Sequence, residues 1–183
     1  MPYVLTNGKL RSGADINLEN FNGYVIFPQS QSTAKPHSWK NQQSVSQVCK
    51  VLDDFEASYK GGVKIDKSRI ALTGHSDGGI GAQYFAGHFN DSQNKYKLSR
   101  VAVMSGFASN YSIADDTMPV RGFVGSSDSS GSVSYMNGTF KKVVGNDNLF
   151  VVKGGHGSVP EQAYIIDSNH NGRSDLFEWL FPN

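Results

Sequence analysis

Gly74-His75-Ser76-Asp77-Gly78 is a stretch in which an ordinary serine can become a nucleophile. A serine hydroxyl attacks a carbonyl carbon only when a base takes its proton and an acid orients that base. The hydroxyl must also be lifted clear of its surroundings on a strained strand-to-helix turn, the setting in which G-x-S-x-G carries meaning. Here Arg69-Ile70-Ala71-Leu72-Thr73 predicts the strand, and a small-residue run through Ala82, Phe85, Ala86 and Phe89 predicts the helix. Glycines two positions to either side of Ser76 are expected to let the backbone crowd together. The amide of Asp77, at the helix N-terminus, would then aim at a developing oxyanion. The plainer reading is a Gly-rich turn carrying an exposed serine.

Two further strand ends offer the base and the acid. Val120 to Val124 runs into Gly125-Ser126-Ser127-Asp128, which sets a carboxylate just past a strand. Leu149 to Val152 runs into Lys153-Gly154-Gly155-His156-Gly157, which does the same for an imidazole. The chain order Ser76, Asp128, His156 is the one that α/β-hydrolases use. Other residues compete for these roles. His75 adjoins the nucleophile but is expected to turn away from it, while His37, His88 and His170 lack a strand-end position. Asp115 and Asp116 follow the preceding strand and stay open as alternative acids.

A different chemistry is written near the C-terminus. Asp167, Asn169, Asn171, Arg173, Asp175 and Glu178 fall at positions 1, 3, 5, 7, 9 and 12 of an EF-hand-like loop, with Gly172 at the sharp turn. Arg173 would contribute its backbone carbonyl, the others side-chain oxygens. Position 8, usually apolar to pair with a second hand, is Ser174, so the loop at 167–178 would stand alone. Only three carboxylates carry charge, which suits weak binding of Ca2+ in a structural role. The alternative is a polar Asn/Gly turn followed by a helix that Asp175 caps.

These residues need a scaffold, and the rest of the chain describes one. Short apolar runs are predicted as strands at Tyr24 to Phe27, Arg69 to Thr73, Val101 to Met104, Val120 to Val124 and Leu149 to Val152. Between them lie helical spacings: Val45, Val48, Cys49, Leu52, Phe55 and Tyr59, then the run after Ser76, then about Val133 to Val144, weakened by Gly138. Leu176, Phe177, Trp179 and Leu180 predict a closing helix. Alternation of this kind implies one α/β domain over 1–183, a mostly parallel sheet of about six strands with helices on both faces. Reactive groups then belong at the carboxyl ends of the strands.

Composition narrows the class further. The chain has 183 residues, 38% hydrophobic and only 18% charged, and a formal net charge of +1. Such a balance gives no footprint for nucleic acid. No apolar run approaches a membrane span, and Met1-Pro2-Tyr3 does not open a signal peptide. Cys49, the single cysteine, excludes an internal disulfide. Localisation stays open, though a polar uncharged surface and weak calcium ligands fit the outside of a cell.

From Tyr24-Val-Ile-Phe-Pro-Gln29 through Trp39 and Ile65-Asp-Lys-Ser-Arg-Ile-Ala-Leu-Thr-Gly-His-Ser-Asp-Gly-Gly79 to Asp128 and His156, the chain resembles the α/β-hydrolase superfamily. The resemblance is to small esterases of the feruloyl-esterase and polyhydroxyalkanoate-depolymerase type. It implies a serine hydrolase cleaving carboxylic esters without a cofactor, on carbohydrate-linked or polymeric substrates, with Ser76 as nucleophile, His156 as base and Asp128 as acid. It also implies that Tyr24 to Phe27 is the fourth strand of the full fold, so that Tyr3 to Thr6 is the third and the fold is shortened at its N-terminal side. Gly8 would then offer the second oxyanion donor beside Asp77. The competing reading makes Asn7-Gly8 a hairpin turn, in which case Gln29 or Ser30 would take that place. The opposing class is a non-catalytic binding or structural module of a larger surface or phage-associated protein.

Overall fold

The computed structural model describes residues 23–28, 39–58, 64–90, 93–106, 118–166, 168 and 174–182. Four strands form one parallel sheet in chain order: β1 (Ile70–His75), β2 (Leu98–Met104), β3 (Val120–Gly125) and β4 (Leu149–Val152). Register runs through Leu72 opposite Val101, Val101 opposite Val120, and Val124 opposite Val151. Parallel neighbours cannot be joined by a tight turn, so helices carry the chain back. α2 (Asp77–His88) links β1 to β2. Between β3 and β4 runs α3 (Ser130–Tyr135), a π-helical turn (Met136–Phe140) containing Gly138, and α4 (Lys141–Val144). α1 (Gln42–Ser58) precedes the sheet, and α5 (Val159–Ile165) and α6 (Asp175–Leu180) follow it.

Strand side chains alternate between two cores. Val101, Val103, Val120 and Val124 point to one face, against Val45 and Leu52 of α1, Phe85 and Ala86 of α2, and Tyr135, Met136 and Phe140. Ala102, Met104, Phe123 and Val152 point to the other, against Val159 and Ala163 of α5 and Leu176 and Leu180 of α6. Helices thus cover both faces, as a parallel sheet requires. Each large buried side chain contributes roughly 1.5–3 kcal/mol of transfer free energy. Of the predicted apolar face of α6, Leu176 and Leu180 are buried while Phe177 and Trp179 are partly exposed.

Among the described residues the sheet has four strands, where about six are predicted from the sequence. Tyr24 to Phe27 pairs with no described strand, and Tyr24, Val25 and Phe27 are each at least half exposed. Only Ile26 packs on the core, with the Tyr24 ring set edge-on to Phe55. An apolar run signals burial, but a strand exists only where a neighbouring backbone completes its hydrogen bonds. The other expected strand, Tyr3 to Thr6, lies outside the described residues. No described helix is long and apolar enough to cross a membrane.

Candidate active site

Ser76 stands between β1 and α2 with φ 58° and ψ −121°, a backbone conformation that L-residues rarely adopt. Its amide is tied to the carbonyl of Met104 at 3.0 Å, and its own carbonyl accepts the first helical bond, from Ile80 at 2.9 Å. The hydroxyl makes no capping bond to α2. Two glycines permit the turn, though not the expected pair. A Cβ at Gly74 would lie 2.0 Å from the carbonyl oxygen of Gly78, and one at Gly79 would lie 2.6 Å from that of Met104. Gly78 itself faces open space. The crowding falls where the helix passes over β2, one residue later than symmetry about Ser76 suggests. Trp39 packs behind this helix, filling the space beside Gly81.

The loops after β3 and β4 are laced together by backbone bonds from Ser126 to Val152 (2.8 Å) and from Ser127 to Gly154 (2.9 Å). This lacing brings Asp128 to His156. His156 Nδ1 lies 2.9 Å from Asp128 Oδ1. A carboxylate oxygen only accepts, so Nδ1 carries a proton, and in the neutral imidazole Nε2 then keeps its lone pair. The Asp128 side chain is fully buried and that of His156 is 43% exposed. Asp128 also accepts from the Ser129 amide at 2.6 Å and, through Oδ2, from the Ser105 hydroxyl at 2.6 Å. Burial by itself would push this carboxyl up. The bonds from Ser105, Ser129 and His156 outweigh it and hold Asp128 below the ordinary aspartate value.

His75 joins the Ser76 turn to the loop that carries His156. Its Nε2 donates to the His156 carbonyl at 2.9 Å, and the two rings stand 4.7 Å apart. Burial first, and the neighbouring His156 after it, push His75 below the usual imidazole range despite the opposing pull of that hydrogen bond and of Asp128. The residue preceding Ser76 therefore touches His156, while Ser76 and the His156 ring are not hydrogen-bonded to each other. Catalytic bonds of this type are commonly long until substrate is bound.

The other expected residues are distributed as follows. Asp77 opens α2 directly after Ser76. His88 ends the same helix with its ring stacked on Tyr84. Gly8, Gln29, Ser30, His37, Asp115, Asp116 and His170 lie outside the described residues, as do Asp167, Asn169, Asn171 and Arg173 of the calcium-like loop. Of that loop, the Asp175 carboxylate accepts from the Ser168 amide at 3.0 and 3.2 Å, and Glu178 follows one turn later in α6. Ser174, not Asp175, caps α6. Among the described residues no group of three or more His, Cys, Asp or Glu side chains is gathered as a metal site would require. A cavity of about 410 Å³ lies under α6, lined by Arg121, Phe150, Leu176 and Trp179 among others, and Ser76, Asp128 and His156 do not border it. Ser105 was not singled out from the sequence; its one signal is a hydroxyl just past the strand beside the nucleophile strand.

No protein-family model matches the chain, and no curated protein matches it in sequence. Among solved structures it is similar to one described as a thermostable esterase, with a TM-score of 0.52 and 18% identity. The fold is α/β, a parallel sheet of four strands with helices, consistent with an α/β-hydrolase-like arrangement. The match covers 81% of this chain and 39% of that protein, so the chain spans about two-fifths of its length. At that identity the likeness speaks for the fold, and the chemistry must be argued from the residues.

Proposed function

We propose that the chain is a serine hydrolase that cleaves carboxylic esters through a seryl acyl-enzyme. In this reading Ser76 Oγ attacks the ester carbonyl carbon while His156 Nε2 takes its proton. The tetrahedral oxyanion is met by the amide of Asp77 at the start of α2. Its collapse breaks the bond to the alcohol, which leaves with the proton from His156; a water then repeats the sequence and frees the acid. Asp128 keeps the imidazole in the tautomer that presents Nε2 and offsets the imidazolium charge. The observation that carries the reading is the 2.9 Å contact between His156 Nδ1 and a buried Asp128, on a loop that His75 ties to the turn holding Ser76 at φ 58°.

The exposed position of His156, away from the 410 Å³ cavity, favours a bulky ester, carbohydrate-linked or polymeric as in the feruloyl-esterase and polyhydroxyalkanoate-depolymerase type. Ca2+ at the 167–178 loop is proposed as a structural ion. Its support is the ligand spacing and the Asp175 carboxylate turned back onto Ser168. A fluorophosphonate probe tests the central claim. Covalent labelling of Ser76, located by peptide mapping, is the expected result. Failure to label folded protein would leave a hydrolase-like domain that binds without turnover.

A further inference from the structure

Ser76 and Ser105 are the two non-glycine residues with positive φ among the described residues, at 58° and 48°. The strain at Ser76 presents a nucleophile. That at Ser105 calls for its own explanation, because glycine would adopt this conformation without strain. A serine persists where the hydroxyl is needed, and this one has a single acceptor: Oδ2 of Asp128, at 2.6 Å. Ser105 is 2% exposed. Its amide is bonded to the carbonyl of Phe123 at 2.8 Å, on the strand that leads to Asp128. Its neighbours face the nucleophile. The Met104 carbonyl holds the Ser76 amide at 3.0 Å, and the Gly106 carbonyl accepts from Gln83 of α2 at 3.3 Å. Gln83 is fixed in turn by the Tyr135 hydroxyl at 3.1 Å. Met104 at the end of β2 and the two residues after it thus touch the nucleophile turn, the acid and the helix behind the nucleophile.

We propose that Ser105 is a positioning residue of this site: its hydroxyl holds Asp128 Oδ2 so that Oδ1 stays aimed at His156 Nδ1, and the left-handed turn exists to place that hydroxyl. The proposal rests on the catalytic reading of Ser76, Asp128 and His156. Without the hydroxyl, Oδ2 becomes a buried anionic oxygen with no donor, and nothing on that side stops the carboxylate from rotating. Burial would then count for more against ionisation, since the Ser105 bond is one of those holding Asp128 low. The titratable groups facing Asp128 are His156 and, beyond it, His75. Both are left intact in the test.

The test separates hydroxyl from backbone. Ser105→Ala removes the hydroxyl and keeps the strain. Ser105→Gly removes the hydroxyl and relieves the strain, so it folds even where the alanine variant does not. Ser105→Thr restores a hydroxyl at a β-branched residue that tolerates positive φ badly. Each protein is melted, its Asp128 carboxyl carbon is titrated by NMR, and the rate of fluorophosphonate labelling of Ser76 is measured. In Ala and Gly the Asp128 midpoint should move up and labelling slow by about tenfold or more, the rate equivalent of one charged hydrogen bond. The threonine variant should rescue both readouts relative to alanine while melting lowest. An Asp128 midpoint unchanged in Ala and Gly, or labelling rates that simply follow melting temperature, would overturn the proposal. Should none of the proteins label, the catalytic reading fails, and the Asp128 titration still decides what Ser105 does.

Discussion

Among the described residues four serines stand at the N-cap position of helices, and they do not behave alike. Ser174, before α6, has an extended backbone (φ −67°, ψ 125°) and its Oγ accepts the Phe177 amide at 3.4 Å. Ser129, before α3, does the same for Ser132 at 3.3 Å. Ser76, before α2, has φ 58° and no such bond. In the first two the hydroxyl satisfies an orphan amide and stabilises the helix, typically by about 1 kcal/mol. At Ser76 the backbone is turned so that the side chain cannot reach its own helix, a conformation costing on the order of 1–3 kcal/mol. One residue type at one helical position caps its own helix twice, turns back to the Gly155 carbonyl at 2.8 Å once, at Ser158, and at Ser76 alone of the four is set at a positive φ. Ser76 directly follows His75, which bonds to the His156 carbonyl.

The largest effect should come from breaking that contrast at Ser76. Ser76→Ala should lower ester turnover by several orders of magnitude, because the attacking atom is gone. Its melting temperature should barely move, since no cap is lost. Steady-state kinetics on a chromogenic ester, with a thermal melt of the same sample, checks both halves. Equal turnover in the variant would end the serine mechanism.

Acid should act next, and part of its effect falls on the Ser76 side of the molecule. Asp128 is held below its ordinary value when folded, whereas the unfolded chain binds that proton near pH 3.9. Its contribution to stability is therefore full above about pH 4–5 and is lost as pH falls through the folded value. His75 is also depressed on folding, chiefly by burial. The unfolded chain protonates it near pH 6.5, so its share of stability starts to fall below about pH 6.5 and is lost down to the folded value. Melts from pH 7 downward should show two stages of loss. In His75→Gln, whose amide can still donate to the His156 carbonyl, the upper stage should vanish while the lower remains.

The contrast between the serines also shows what a sequence reveals. Strands β1 to β4 were legible because β-branched runs ending in Gly, Asp or His have few other ways to fold. Asp128 and His156 stood out for the same reason, each just past a strand. Tyr24 to Phe27 misled because its apolar character reports contact with the core, which only Ile26 makes. The π-helical turn at Met136–Phe140 keeps Met136 and Phe140 buried, and helical periodicity with one weakening glycine could not distinguish it from α-helix. Ser105 was invisible since its role depends on a φ angle and on a partner 23 residues away. Gly79 was masked by the symmetry of G-x-S-x-G, because the crowding arises from Met104 and Gly106 on a different strand end.

A cation at the other helix start would sharpen the comparison, since α6 would then owe its N-terminus to both Ser174 and a metal. Binding to the folded state alone stabilises by RT ln(1 + [L]/Kd), about 2.7 kcal/mol at a hundredfold excess over Kd. For a chain of this length that corresponds to a rise of several degrees in melting temperature. Melts in millimolar calcium and in chelator should differ by this amount in the wild type. They should coincide in the double variant Asp167→Ala, Glu178→Ala, with low-temperature turnover retained by both proteins. Superimposable wild-type curves, from a sample verified as metal-free, would reduce the loop to a polar turn.

The smallest effect is the most direct measure of the difference between the helix starts. Ser174→Ala, melted in chelator, leaves the Phe177 amide without its side-chain partner, at a cost of about 1 kcal/mol. In a chain of this length that is a fall of about 2–4 °C. Turnover at low temperature should be unchanged, as Ser174 caps α6 and the proposed reacting groups lie past the ends of β1, β3 and β4. Glycine reverses the sense at the nucleophile turn. Ser76→Gly relieves the positive φ and loses no cap, so it should melt slightly higher than the wild type while being inactive. At Ser174, where the backbone is extended and the side chain is bonded, glycine relieves no strain and should melt no higher than the wild type. Opposite signs at two serines in the same helical position would show that α2 begins with a residue chosen for reactivity and α6 with one chosen for stability. A loss of stability at both would mean that Ser76 supports its helix after all, and that its φ of 58° is structural.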